Sequence, residues 1–298
     1  MVICVAENIN IMSKTLGPAM KERNAGPIQD MASALTKKGA DYLDLNIGPA
    51  RKGGDELMDW LVKTVQEVTD LPLSLDTTNP VAMEAGLKAN IKGKSQKKSL
   101  INSVSLQPER LEKGLPMIIR YNADVIGLLW GKDGMPRDAN ERAAMAVDFV
   151  YKANEAGIST SNIWIDPIAT PICVDANQVL AGLEFMSMLG EIAPEAKSIV
   201  GLSNVSNGAP ENLRPYLNRT YLMMFMKYDI YSAIVDGFDK ELLAIAGGKR
   251  PEHVKLVHDI MDGNKPDPAS LGKTELEYYK TTRVLMGKVL YSHSWLTT

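Results

Sequence analysis

Short apolar segments of this chain run, one after another, into a carboxylate or a primary amide. In order, their ends read Glu7-Asn8-Ile9-Asn10, Asp44-Leu45-Asn46, Asp76-Thr77-Thr78-Asn79, Asn102-Ser103, Gly131-Lys132-Asp133, Asp166-Pro167, Ser203-Asn204 and Asp236. Lys132 is the one base among them, and no histidine appears. A sugar phosphate calls for basic residues or backbone N–H nests, and a zinc site calls for His or Cys. The carboxylates of Glu7, Asp44, Asp76 and Asp166 could instead converge on Mg²⁺, as in a metal-dependent lyase or aldolase. Without a metal they repel one another unless donors satisfy them, and the interleaved Asn amides or the N–H groups of a ligand are such donors. Asp and Asn in alternation suit a flat heterocycle with donors and acceptors on one edge. An Asp accepts two N–H bonds from an amino-pyrimidinone edge, while an Asn gives one bond and takes one.

Each residue also has a local reading. Asp76 could cap the next helix, but Pro80 near the first helical position makes Asn79 or Thr78 the better cap and leaves Asp76 at the segment end. Asp166 precedes a proline, which favours extended backbone and projects its carboxylate from the end of the segment. Asn102 lies in an otherwise apolar run, where an unpaired amide costs a few kcal/mol, so something must bond it. Asn204 in GLSNVSNG could be an ordinary turn former.

The elements that must position these groups follow from periodicity. Strand-like runs span 2–8, 40–46, 71–77, 99–105, 123–130, 162–167, 198–204 and 232–237. Between them apolar residues recur at helical spacing, as in Leu57, Met58, Leu61, Val62 and Val65, or Val179, Leu180, Leu183, Met186 and Leu189. Pro27 stands near the start of the first helix and Gly39 at its end; Asn140 and Asp175 are plausible caps of later ones. Eight strand-then-helix cycles in 298 residues predict an α/β fold, a (β/α)8 TIM barrel formed as one domain over 1–298, with 249–298 as a helical extension. An open doubly wound sheet is the competing architecture, yet no GxGxxG follows any strand. GGDE at 53–56 and GGKR at 247–250 read as a loop with a cap and as a helix stop.

Composition limits the partners. The chain is 45% hydrophobic and 23% charged with a formal charge of -3, and it has no basic stripe to displace phosphate counterions, which argues against nucleic-acid binding. KGKSQKK at 92–98 reads as a solvated surface connection. Cys4 and Cys173 are the two cysteines and suggest no disulfide framework. The three histidines, at 253, 258 and 293, read as surface residues. No secretory leader and no run of 18 apolar residues is evident, so no membrane association and a cytoplasmic location are expected.

DLNIGPA (44–50), SLDTTNPVAMEAGLKA (74–89), LINSVS (100–105), WIDP (164–167), GLSNVSNG (201–208) and NRTYL (218–222) together resemble the methyltetrahydrofolate:corrinoid methyltransferases, pterin-binding barrels. The match runs in order from the first strand to about Ala246. The resemblance implies methyl exchange between N5 of tetrahydrofolate, or its 5-methyl form, and the cobalt of a corrinoid. It places Asp76, Asn102 and Asp166 on the pterin ring and Asn204 beside N5, where it tracks protonation. Glu7, Asn10, Asp44, Asn46, Ser203, Arg219 and Asp236 become rim contacts, and no metal ion is expected in the site. Relatives commonly carry Arg where this chain has Asn8. No DxHxxG cobalamin loop is present, so the cobalamin should arrive on a corrinoid protein docking over the barrel mouth. The resemblance also implies a homodimer, and the run YLMMFMKYDIY (221–231) is more apolar than one exposed helical face needs. Dihydropteroate synthases share the barrel type, but their Lys-Gly and late Ser-x-Arg elements are not evident. A non-catalytic folate-binding subunit is the remaining reading.

Overall fold

A computed structural model describes residues 1–91 and 98–297; KGKSQKK, apart from its last lysine, lies outside the described residues. Eight parallel strands close into a barrel in sequence order: β1 (Ile3–Asn10), β2 (Tyr42–Asn46), β3 (Leu73–Asp76), β4 (Leu100–Ser105), β5 (Asp124–Leu128), β6 (Ile163–Asp166), β7 (Lys197–Gly201) and β8 (Ser232–Val235). β8 pairs with β1 to complete the ring. The helices are α1 (Leu16–Glu22), α2 (Ala25–Lys38), α3 (Gly54–Gln66), α4 (Pro80–Ile91), α5 (Pro108–Tyr121), α6 (Ala139–Glu155), α7 (Ala176–Ile192), α8 (Arg214–Met226), α9 (Lys240–Ala246), α10 (Pro251–Met261) and α11 (Lys273–Leu285). This is the expected TIM-type barrel with extra C-terminal helices.

Side chains alternate along a strand, so inward-facing positions recur every second residue. Val5, Tyr42, Leu100, Ile126, Trp164, Ile199 and Ile234 form one buried apolar cluster from seven strands, the barrel floor. Two residues further along the same strands stand Glu7, Asp44, Asn102, Leu128, Asp166, Gly201 and Asp236. A single step of the strand period therefore converts an apolar plug into a polar mouth.

Several local readings are corrected. Asn140 is not a cap: it lies inside α6, whose N-cap is Asp138, its carboxylate accepting from the Glu141 N–H. The first helix expected from near Pro27 to Gly39 is α2, and a further short helix, α1, precedes it, the two separated by Arg23 in the left-handed region. β7 stops at Gly201 rather than reaching Asn204, because residues 202–206 wind into a 3-10 turn that buries Leu202 and Val205, three apart. Asp175 does cap α7, accepting from the Asn177 N–H. Asn79, not Asp76, caps α4, its Oδ1 accepting from Val81 N at 3.0 Å. Asp76 is thereby left free of a capping task.

α10 and α11 wrap the outer side of α8, which explains its apolar run. Tyr221, Leu222, Met223, Met224 and Phe225 are all fully buried, covered by the barrel on one side and the C-terminal helices on the other. The run is consumed within the chain and needs no second copy to cover it. Two histidines expected at the surface are half-buried for the same reason: His258 Nε2 lies 2.8 Å from the Met223 carbonyl, and the His253 ring packs tilted against that of Tyr278, their centroids 5.0 Å apart. Among the described residues no helix is long and apolar enough to cross a membrane.

Candidate active site

The barrel's register assembles the site. Asn10 on β1 is level with Asn46 on β2, Asn46 with Asp76 on β3, and Asp76 with Asn102 on β4, so four successive strands place an amide or a carboxylate in one row. The ladder is irregular between Ala6 and Ile9 and again between Ile101 and Val104. Such shifts re-aim side chains, and these two fall on Glu7-Asn8 and Asn102-Ser103.

Amides bond the carboxylates to one another. Asn46 donates to Asp76 Oδ2, while its own Oδ1 accepts from Gly48 N at 2.9 Å. Beneath that row, Asp44 Oδ1 accepts from Ser74 Oγ at 2.6 Å and from Asn102 Nδ2 at 3.1 Å. Asn102 thus has the partner its apolar surroundings demand. Across the mouth, Asp166 Oδ1 accepts from Ile168 N at 2.8 Å, with Ile168 held in the left-handed region. What remains open is a set of ligand-facing atoms. Among the described residues, Asp76 Oδ1, Asn102 Oδ1 and Asp166 Oδ2 take no protein hydrogen bond, and Asn204 Nδ2 gives none.

Among the described residues no basic side chain forms an ion pair with these carboxylates, and their acidity shifts accordingly. Burial drives the Asp166 pKa up to about 6, partly offset by the Ile168 N–H and the Arg142 charge. Burial also raises Asp44 and Asp76 together; Asp76 is pushed further by the Asp44 charge and drawn back by the Asn46 amide. Glu7 rises to about 7, through burial first, against the lowering effect of the Ser203 hydroxyl. Buried carboxylates with raised pKa values in a concave polar site mark a place where a ligand's donors complete the structure. Among the described residues, no group of three or more His, Cys, Asp or Glu side chains is arranged to hold a metal ion.

The remaining rim residues divide. Ser203 Oγ donates to Glu7 Oε2 at 3.1 Å. Asn204 is exposed on the 3-10 turn, its Oδ1 accepting from Asn207 Nδ2 at 3.1 Å. A Cβ on Gly201 would stand 2.9 Å from Asn204 Nδ2, so the glycine makes room for that amide. Asn10 Oδ1 accepts from Met12 N at 2.8 Å. Asn8, at the position where Arg is common, donates to Asp236 Oδ1 at 2.7 Å and accepts from Gly237 N at 2.8 Å, tying β1 to the loop after β8. Arg219 is turned away into a forked ion pair with Asp239, at 2.7 Å for the shortest contact.

Three arginines escaped the sequence reading because they stand on helices rather than at strand ends. Arg214, first residue of α8, lines a cavity of about 520 Å³ together with Glu7, Asn10, Ser203, Asn218 and Asp236. Arg110 on α5 donates to the carbonyls of Thr78 at 2.6 Å and Ser103 at 3.0 Å, clamping the loop after β3 to the end of β4. Arg142 on α6, fully buried, donates to the Pro167 carbonyl at 2.8 Å and to Gln178 Oε1 at 2.7 Å, fixing the loop that carries Asp166.

A family model described as pterin binding enzyme matches residues 15–222. The chain belongs to the pterin-binding enzymes. Within that family it is 24% identical over 243 residues to a methylcorrinoid:tetrahydrofolate methyltransferase of Eubacterium limosum, across 81% of this chain and 87% of that protein. It is 27% identical over 245 residues to methionine synthase of Mycobacterium tuberculosis, across 78% of this chain and 20% of the synthase. The chain thus spans about a fifth of that relative's length. Among solved structures, dihydropteroate synthase from Xanthomonas albilineans in complex with 7,8-dihydropteroate has a TM-score of 0.60 at 16% identity, over 84% of this chain and 94% of that one. The synthase from Thermus thermophilus gives 0.59 at 17% identity, over 84% and 94%. At those identities the likeness is one of fold.

Proposed function

We propose that this pterin-binding enzyme moves a methyl group between N5 of tetrahydrofolate and the cobalt of a corrinoid carried by a partner protein. The observation that carries the reading is the mouth itself: Asp76, Asn102 and Asp166 hold unused acceptor atoms, and among the described residues no basic side chain forms an ion pair with the two carboxylates. An amino-pyrimidinone ring supplies N–H donors for such acceptors, and donation to the ionised carboxylates draws their raised pKa values back down. The similarity to a methylcorrinoid:tetrahydrofolate methyltransferase over most of both chains supports the choice of reaction.

The chemistry places a demand on N5. When Co(I) attacks the methyl carbon, the carbon–nitrogen pair returns to N5, and the nitrogen leaves readily only if a proton or a strong hydrogen bond meets that charge. Asn204 has a free amide N–H for this purpose but no net proton to give. Its hydrogen bond is worth about 1–3 kcal/mol if it forms chiefly as the bond breaks. The polar mouth is open, and Met12, Trp130, Val174 and Phe238, 84%, 40%, 72% and 39% exposed, rise from the loops after β1, β5, β6 and β8. Such apolar groups around a polar entrance suit a docking corrinoid protein.

Stopped-flow mixing of the protein and 5-methyltetrahydrofolate with free cob(I)alamin, and of tetrahydrofolate with methylcobalamin, tests the assignment. Methyl transfer that survives chelation of divalent metals is expected. Folate binding without transfer in either direction would leave a binding subunit, and transfer abolished by chelation would favour a metal-dependent barrel enzyme.

A further inference from the structure

The proposed reaction moves a proton as well as a methyl group. In one direction the cobalt electron pair forms the Co–C bond, the C–N5 pair passes to nitrogen, and N5 gains one proton; in the other, N5–H loses that proton as nitrogen takes the methyl group from methyl-Co(III). We propose that Glu7 stores this proton and exchanges it with N5 through the Ser203 hydroxyl. The inference rests on the folate reading and adds to it the group that Asn204 cannot replace.

Geometry singles out Glu7. Its Oε2 is bonded to Ser203 Oγ at 3.1 Å, and Ser203 is the chain neighbour of Asn204. A hydroxyl both donates and accepts. It donates to the Glu7 carboxylate, and once Glu7 is protonated it accepts from the acid and turns its own hydrogen toward the cavity. The other mouth carboxylates are fixed as acceptors by N–H donors: Asp76 by the Asn46 amide, Asp166 by the Ile168 backbone, and Asp44 by Asn102, at the same oxygen that takes the Ser74 hydroxyl. Glu7 alone among them has a hydroxyl as its sole hydrogen-bond partner among the described residues.

The charges around Glu7 suit storage near neutrality. Asp44 faces it from β2 and Asp236 from just past β8, both disfavouring ionisation, while Arg214 at the start of α8 opposes them. Asp76 on β3 feels the Glu7 charge in turn. Glu211 and Asp239 line the same cavity, the latter engaged by Arg219. Asn8 ties up Asp236, where an arginine would place a cation within the same wall. Burial and the two carboxylates hold the Glu7 pKa near 7, so the group gives and takes a proton at similar cost.

Single-turnover methyl transfer from saturating 5-methyltetrahydrofolate to cob(I)alamin, followed from pH 5.5 to 8.5 beside folate affinity on the same preparations, tests this. Wild type should slow as pH rises through about 7. Glu7→Gln should transfer roughly 10²-fold more slowly at pH 7, lose that pH-dependent limb, and bind folate within about threefold of wild type. Glu7→Asp, which keeps an acid, should retain the limb. Ser203→Ala should flatten it, and that variant decides the matter if Glu7→Gln does not fold. A Glu7→Gln or Ser203→Ala protein with the wild-type rate and limb would overturn the proposal while leaving the folate reading intact. Wild-type protein that transfers no methyl group would overturn both.

Discussion

Asp124 and Asp166 stand at opposite ends of the same barrel and meet opposite surroundings. Asp124, first residue of β5, is buried at the base, where Trp164 Nε1 donates to its Oδ2 at 2.9 Å and Lys197 reaches the same oxygen at 3.0 Å. Lys197 in turn lies over the rings of Trp164 and Tyr231, 5.1 and 5.6 Å from their centroids. The other Asp124 oxygen, Oδ1, takes no hydrogen bond but lies 4.0 Å from Lys98 Nζ, so two lysines balance the charge within the chain. Asp166 terminates β6 two residues beyond Trp164, and it has one backbone donor, no ion pair and a free oxygen. A carboxylate whose charge is balanced by its own protein stabilises the fold; one left without a cation partner waits for a ligand. The base and the mouth therefore predict separable phenotypes.

The largest expected effect lies at the mouth. Asn204→Ala should slow methyl transfer about 10- to 100-fold while changing tetrahydrofolate affinity far less, and its defect should deepen as pH rises and protons become scarce. Thermal unfolding should be unaltered, since the Asn204 side chain is exposed. Equal losses in affinity and rate, with no change in pH profile, would reduce Asn204 to a ground-state contact. The opposite pattern is expected at the base. Asp124→Ala leaves Lys197 and the Trp164 N–H without their partner and should cost about 2–3 kcal/mol, discounted for the partial exposure of Lys197, seen as a lower denaturant midpoint with folate affinity within twofold.

A smaller effect follows from protonation. The mouth carboxylates are weaker acids in the folded protein than in the unfolded chain, so folding takes up protons between the two sets of pKa values. That stabilisation is fully present below about pH 4 and is lost as pH rises through about 6 for Asp166 and about 7 for Glu7. The ligand-free protein should thus unfold at a lower temperature at pH 8 than at pH 5.5, and Glu7→Gln should flatten the upper part of that slope in calorimetry. Smallest is Gly201→Ala. Its backbone, at φ -71°, accepts alanine, but the new Cβ meets Asn204 Nδ2. Transfer should fall severalfold, with stability changed by less than about 1 kcal/mol.

The sequence made some of this legible and hid the rest for identifiable reasons. All eight strands could be placed because each is a short apolar run, and Asp76, Asn102 and Asp166 could be singled out because polar residues closing such runs need an explanation. The end of β7 was hidden: Leu202 and Val205 are apolar like a strand, yet they are spaced for a 3-10 turn. Arg142 and Arg110 were hidden because their partners include the carbonyls of Pro167 and Thr78, far off in the chain, and pairing of that kind leaves no local pattern. The apolar run in α8 hinted at a second copy, whereas the covering surface came from α10 and α11, whose docking no periodicity announces. Asn8 was visible as a departure from Arg, but its bridge to Asp236 depends on β1 meeting β8 when the barrel closes.

Isothermal titration with 5-methyltetrahydrofolate after exhaustive chelation, on wild type and on Asp76→Asn, Asn102→Ala and Asp166→Asn, tests the incomplete mouth most directly. Wild type should bind without metal. Each variant should bind about 10- to 100-fold more weakly, since each mismatches donors and acceptors on the ring edge, and its unfolding midpoint should stay within a few degrees of wild type. Wild type that binds only with a divalent metal restored, or variants that lose stability while keeping their folate affinity within twofold, would contradict the assignment of these residues to a pterin.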